Sequence, residues 1–112
     1  DADLEGLGIE PFELVVVNLY SFEEAAQRRI DTDQLVEQID VGGPTMLRAA
    51  AKTHERVAVL SDPAQYAEFL AELAREDGCV TLATRRTLAL AAFSRTASYD
   101  RAIATALTAR FA

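Results

Sequence analysis

Leu14-Val15-Val16-Val17-Asn18-Leu19-Tyr20 is the stretch that decides the fold. It is a short, continuous apolar run rich in β-branched residues. Its brevity favours a strand covered on both faces, as in a parallel sheet, over a buried helix. Val57-Ala58-Val59-Leu60 is a second run of the same kind. Between them, Ser21 to Arg29 reads as a short amphipathic turn or helix with Phe22, Ala25 and Ala26 inward. Asp31 and Gln34 have capping-box spacing and open a helix that ends near Ile39. Asp40-Val41-Gly42-Gly43-Pro44 breaks the chain, and Pro44 suits the first position of a helix from Thr45 to about His54. Met46, Ala49 and Ala50 face inward on that helix. Strands separated by helices imply an α/β fold with a parallel sheet.

Outward from this centre, Leu4, Leu7 and Ile9 look like the tail of an element, with Gly8 as a helix stop. Asp62-Pro63-Ala64-Gln65 combines an N-cap, a first-turn proline and a box partner, and opens a helix to about Arg75. Gly78 ends that region. Thr81 begins a long helical pattern in which Leu88, Ala92, Thr96, Tyr99, Ile103 and Leu107 recur every three or four residues. Unbroken to Arg110, it spans roughly 43 Å. Such a length requires a kink around Thr96–Ser98 or an interface with another domain or subunit. Two strands are too few, since sheets usually have about four to six. The chain reads as the second half of a domain that needs upstream strands or a partner supplying them.

The 112 residues have room for one domain. Eighteen acidic residues against eleven basic ones give a net charge of -7, which argues against a nucleic-acid surface. A small anionic substrate, held by a few local donors, is compatible with that balance. The single cysteine, Cys79, cannot form an internal bridge, so a reducing intracellular setting is expected. Asp1 to Glu10 is acidic, unlike a secretory leader. No apolar run approaches the roughly 20 residues that span a bilayer. The expected location is cytoplasmic, without membrane contact.

Ligands of open parallel sheets gather beyond the carboxyl ends of the strands. That rule selects Asn18 and Tyr20 after the first strand, and Ser61-Asp62 after the second. Asn18 both donates and accepts, which suits a carboxamide or purine edge. Tyr20 can donate a proton or hold an oxyanion. The plainer alternative is that Asn18 ends a strand and Tyr20 packs. Gly42-Gly43 before a helix N-terminus lets backbone amides approach an anion or polar ring, or else is merely a turn after Asp40. Lys52 shares a helical stripe with Thr45 and Arg48, although a lysine near a helix end ordinarily complements the dipole. His54 reads as helix-terminal, and with no second histidine or paired cysteine there is no zinc constellation. Arg85-Arg86 reads as a solvated face and Cys79 as a small apolar residue. No nucleophile elbow is present. Spacing alone goes no further.

The segments together resemble a family. Leu14 to Phe22 is similar to its "VVVNLYPF" strand and turn, and Glu37 to His54 to its "EQIDIGGPTMLRAAAKNH" block. Val57 to Pro63 matches "VAVVxDP", and Thr84 through Asp100 matches "TRRxLAxKAFxHTAxYD". The matches run from about Ile9 to Ile103, in the family's order and spacing. The family is the bifunctional purine-biosynthesis enzyme whose amino-terminal domain is the inosine monophosphate (IMP) cyclohydrolase and whose larger carboxyl-terminal domain transfers a formyl group.

The resemblance implies that residues 1–112 are part of the cyclohydrolase domain, a methylglyoxal-synthase-like, doubly wound parallel sheet with a long C-terminal helix. It further implies that this domain's upstream half and the formyltransferase domain are absent. The implied reaction converts formylated aminoimidazole carboxamide ribotide into IMP and water, without a cofactor or metal. Carried residue by residue, the catalytic tyrosine, aspartate and lysine fall on Tyr20, Asp40 and Lys52, with an Asp40–Lys52 pair able to assist proton removal. Asn18 and the backbone at Val41, Gly42 and Gly43 match positions that hold the base. The implied partners are the purine nucleotide, the missing parts of the enzyme and a second copy in a homodimer.

Three departures stand out. Ser21 replaces the usual proline after Tyr20 and loosens the turn holding that side chain. Thr53 replaces the common asparagine before His54, and Ser94-Arg95 replaces a different pair before Thr96. The missing upstream segment carries the family's phosphate loops and a further lysine, so the isolated chain is expected to be inactive. A non-catalytic ligand-sensing domain of the same fold is the alternative; it would need no Tyr20–Asp40–Lys52 set. A helical interaction module is a third reading, against which the two buried-type strands argue.

Overall fold

The structure, a computed structural model, describes residues 12–112. The elements expected over Leu4 to Ile9 lie outside the described residues. Strand β1 covers Glu13–Val16 and β2 covers Val57–Leu60, paired in parallel with Leu14 opposite Ala58 and Val16 opposite Leu60. The crossover between them holds α1 (Phe22–Ala26), α2 (Thr32–Glu37) and α3 (Gly42–Lys52). After β2 come a short 3₁₀ turn (Pro63–Gln65), α4 (Tyr66–Arg75) and α5 (Leu82–Phe111). This is the expected α/β arrangement, with a parallel two-stranded sheet and a long C-terminal helix.

Local signals set the helix starts. Asp31 accepts from the Gln34 amide while the Gln34 side chain returns to the Asp31 amide, closing the capping box. Asp62 and Gln65 form the same reciprocal pair ahead of α4, with Pro63 in the first turn. Thr81 caps α5 through the Thr84 amide. Asp77 and Gly78 take positive φ, 53° and 84°, and turn the chain out of α4.

β1 is shorter than its sequence suggests. The ladder ends where the Val17 amide donates to the Leu60 carbonyl, because β2 then turns away into Asp62 and Pro63. Nor is β1 covered on both faces among the described residues: Leu14 is 49% and Val16 47% exposed. All four residues of β2 are buried, under α3 and α5.

The glycine pair also behaves differently from expectation. α3 begins at Gly42, so Pro44 is its third residue, still within the first turn where its missing N–H costs no intrahelical bond. The buried face of α3 is Gly43, Leu47, Ala50 and Ala51, rotated from the expected one; Met46 and Ala49 are exposed. The apolar stripe of α5 holds: Leu88, Ala92, Thr96 and Tyr99 are buried, with Ile103 and Leu107 half-buried. This helix runs unbroken for 30 residues, about 45 Å, through Thr96–Ser98.

Arg85 overturns its expected solvent exposure. It is 7% exposed, and its guanidinium donates to the carbonyls of His54 and Val80, tying α5 to the loops before β2 and before α5 itself. Arg86 is exposed as expected, and His54 closes the α3 end with Nδ1 against the Ala51 carbonyl. Among the described residues no helix is long and apolar enough to cross a membrane. Nor does any group of three or more His, Cys, Asp or Glu side chains gather among them as a metal site.

Candidate functional site

The carboxyl end of β1 leads directly to the site. Leu19 turns into the core at 4% exposure, and Tyr20, next to it, is 93% exposed. Ser21 then starts α1, its Oγ accepting from the Glu24 amide at 3.3 Å. Tyr20 therefore does not pack, contrary to the plainer alternative, but stands between a buried anchor and a helix cap. It lines a cavity of about 280 Å³ together with Arg28, Gln38, Asp40 and Tyr99.

Asp40 enters this cavity from the middle of the crossover, just ahead of α3. Its Oδ1 accepts from the Gly43 amide at 2.8 Å, so it acts as a cap one residue ahead of the N-cap position of α3. Its own amide donates to the Tyr99 hydroxyl at 2.8 Å. Gly43 is required here by space. A Cβ on it would lie 2.8 Å from Leu19 Cδ2 and closer still to the Asp40 carboxylate. Gly42 has open space around the same position, and among the described residues its amide and that of Val41 have no acceptor. Val41 is 71% exposed. Two free amides at the positive end of an 11-residue helix can hold an anionic or polar ring atom.

Two of the sequence-selected residues are not brought to this cavity. The Asn18 side-chain amide donates to the Tyr66 hydroxyl at 2.7 Å, toward the start of α4. Lys52 ends α3, ten residues beyond Gly42 and so about 15 Å along the axis from the Asp40 turn. The helix thus holds Asp40 and Lys52, the pair expected to assist proton removal, at its opposite ends. Lys52 instead sits where its charge complements the α3 C-terminus.

Sequence reasoning places Tyr99 on the buried stripe without a polar role, and Arg95 only as a departure. Arg95 donates to the Leu19 carbonyl at 2.9 Å, directly ahead of Tyr20. These contacts join positions 59 and 76 residues apart, which no local spacing signals. A larger groove of about 510 Å³ runs between α4 and α5 past Ser61, Glu72 and Arg95. It holds Ser61 and Asp62, the other strand-end candidates, but none of the residues around Tyr20.

Comparison with known proteins agrees with the resemblance. Residues 50–112 match the family model of the AICARFT/IMPCHase bienzyme. A bifunctional purine biosynthesis protein PurH from Nostoc punctiforme is 55% identical over 98% of this chain and 22% of its own length. The PurH of Cereibacter sphaeroides is 55% identical over 86% of this chain and 18% of its own. Among solved structures, one described as the crystal structure of ForH aligns with a TM-score of 0.75 and 37% identity. That alignment covers 97% of this chain and 57% of the other. The chain thus spans about a fifth of the length of the curated relatives it matches. On the family match and on identity across nearly its whole length, the chain belongs to the AICARFT/IMPCHase bienzyme family.

Proposed function

We propose that this chain forms part of the ring-closing site of a bifunctional purine-biosynthesis enzyme, where formylated aminoimidazole carboxamide ribotide becomes IMP and water. The observation that carries the reading is the convergence of Tyr20 and Asp40 on one cavity, from segments 20 residues apart that precede α1 and α3. In the reaction the carboxamide nitrogen attacks the formyl carbon, a C–N bond forms, and the formyl oxygen leaves as water after taking up protons. Tyr20, exposed at the cavity mouth, is suited to donate to that oxygen. Asp40 has one carboxylate oxygen committed to the Gly43 amide, and the other is available to take the proton from the attacking nitrogen. The amides of Val41 and Gly42 are suited to hold the base, a role their lack of acceptors among the described residues supports.

The cavity, about 280 Å³ and bordered by the exposed Tyr20, lies at the small end of the roughly 300–1,000 Å³ range of ligand sites, and in this reading it takes the reacting ring. The rest of the site belongs to segments outside these residues, which fits the half-exposed Leu14 and Val16 on β1. By this reading the isolated chain does not turn over substrate. Lys52 serves chemistry only at a site that reaches the far end of α3, and Asn18 only after leaving Tyr66.

The test is the full-length enzyme carrying Tyr20→Phe. Loss of a transition-state donor of this kind costs about 10²–10³ in ring-closing kcat. Formyl transfer, measured on the same polypeptide, stays unchanged. Full ring-closing turnover in Tyr20→Phe would exclude Tyr20 from the reaction.

A further inference from the structure

Arg95 and Tyr99 lie four residues apart on α5 and so share one face, one turn from each other. Each reaches across to the backbone of a different crossover segment. Arg95 donates to the carbonyl of the peptide that joins Leu19 to Tyr20. Tyr99 accepts from the amide of Asp40. Tyr99 is 7% exposed and fixed edge-on against Phe22, with ring centroids 6.2 Å apart, so its hydroxyl cannot wander. Arg110, further along α5, adds bonds to the carbonyls of Ile30 and Ala26, fastening the segment between the two. One continuous helix thus grips both ends of the loop that carries the site.

We propose that Arg95 and Tyr99 are positioning residues of the ring-closing site: from adjacent turns of α5 they hold the backbone at Tyr20 and at Asp40, and so fix the separation of those two side chains. The inference rests on the reading of Tyr20 and Asp40 given above. It also accounts for two departures from the family pattern. Ser21, in place of proline, lacks the ring that fixes φ after Tyr20, and Arg95, also a departure, restrains the peptide before it. The grip of both residues is made to backbone atoms; Tyr99 also lines the cavity, so kcat and KM together separate positioning from substrate contact.

The experiment uses the full-length bifunctional enzyme with Tyr99→Phe, Arg95→Ala, Arg95→Lys and Tyr20→Phe, measuring kcat and KM for ring closure and kcat for formyl transfer. Tyr99→Phe keeps the ring against Phe22 and removes only the hydroxyl. It is expected to lower ring-closing kcat about tenfold to a hundredfold, the effect of a misplacement on the order of 1 Å. KM should move by less than about threefold, since the lost interaction acts in the transition state and not in binding. Arg95→Ala behaves the same way, and Arg95→Lys recovers part of the loss because an ammonium can still donate one bond. Formyl transfer is unchanged throughout. Full ring-closing kcat in Tyr99→Phe and Arg95→Ala, beside a slow Tyr20→Phe, overturns the positioning proposal and leaves the site reading standing. Full kcat in Tyr20→Phe as well removes the site reading and this proposal with it. Equal losses in both activities for Tyr99→Phe assign the hydroxyl to folding, and a rise in KM at constant kcat assigns it to substrate contact; either overturns the proposal.

Discussion

The two glycines at the start of α3 look equivalent in sequence and should respond oppositely to the same substitution. Alanine normally stabilises a helical position relative to glycine, by about 0.4–1 kcal/mol. At Gly42 nothing lies within 4 Å of the position an alanine methyl would take, so Gly42→Ala should show that gain. At Gly43 the methyl would press on Leu19 Cδ2 at 2.8 Å and on the Asp40 carboxylate. Leu19 is buried and cannot yield freely, and overpacking of this kind costs about 1–3 kcal/mol. Displacing Asp40 also breaks its bond to the Gly43 amide, a further cost of about 1.5–3 kcal/mol, lower at an exposed carboxylate. Net of helix propensity, Gly43→Ala should destabilise by about 2 kcal/mol, roughly 3 kcal/mol below Gly42→Ala. In a domain of about 150–250 residues that gap separates the two melting temperatures by roughly 6–12 °C. Calorimetry of the full-length enzyme, reading the transition that carries ring-closing activity, measures it. Two variants melting within about 1 °C of each other would refute the steric account of Gly43.

Arg85→Met should destabilise by about 2–3 kcal/mol in denaturant titration, because it strands the His54 and Val80 carbonyls, whereas Arg86→Ala should stay within about 0.5 kcal/mol. Equal effects from the two would return Arg85 to the solvated face. Leu14→Lys should cost less than about 0.5 kcal/mol in the 112-residue chain, where Leu14 is half-exposed, yet several kcal/mol in the full-length enzyme if upstream strands cover this face there. An equal, small cost in both would mean β1 stays bare. Asp31→Ala removes the side-chain half of a capping box, leaving the residue-31 amide to donate to Gln34, and should lower stability by about 1 kcal/mol, seen as faster amide exchange across α2.

What can be read from the sequence is local. The caps at Asp31 and Asp62 have their partners within two or three residues and are formed as expected, and the helix expected from Thr81 starts there, capped by it. β2 is legible because four consecutive apolar residues are all buried. The C-terminal end of β1 is not, because strand length depends on the partner, and β2 stops at Leu60. Arg85 looks like its neighbour Arg86, since only a tertiary contact to His54, 31 residues away, distinguishes them. The same holds at the site. The motifs name Tyr20 and Asp40, but a motif carries no distance. Hence the helix that separates Asp40 from Lys52, and the two α5 residues that hold the site together, become visible only in three dimensions.

Ring closure against the Tyr20–Asp40 turn is tested most directly by amide hydrogen exchange on the full-length enzyme with and without IMP. IMP should slow exchange over Asn18–Glu24 and over Gln38–Met46, with the free Gly42 amide most affected, and leave α4 unchanged. Protection confined instead to the groove between α4 and α5, with none at Gly42 and Gly43, would contradict that placement of the reaction.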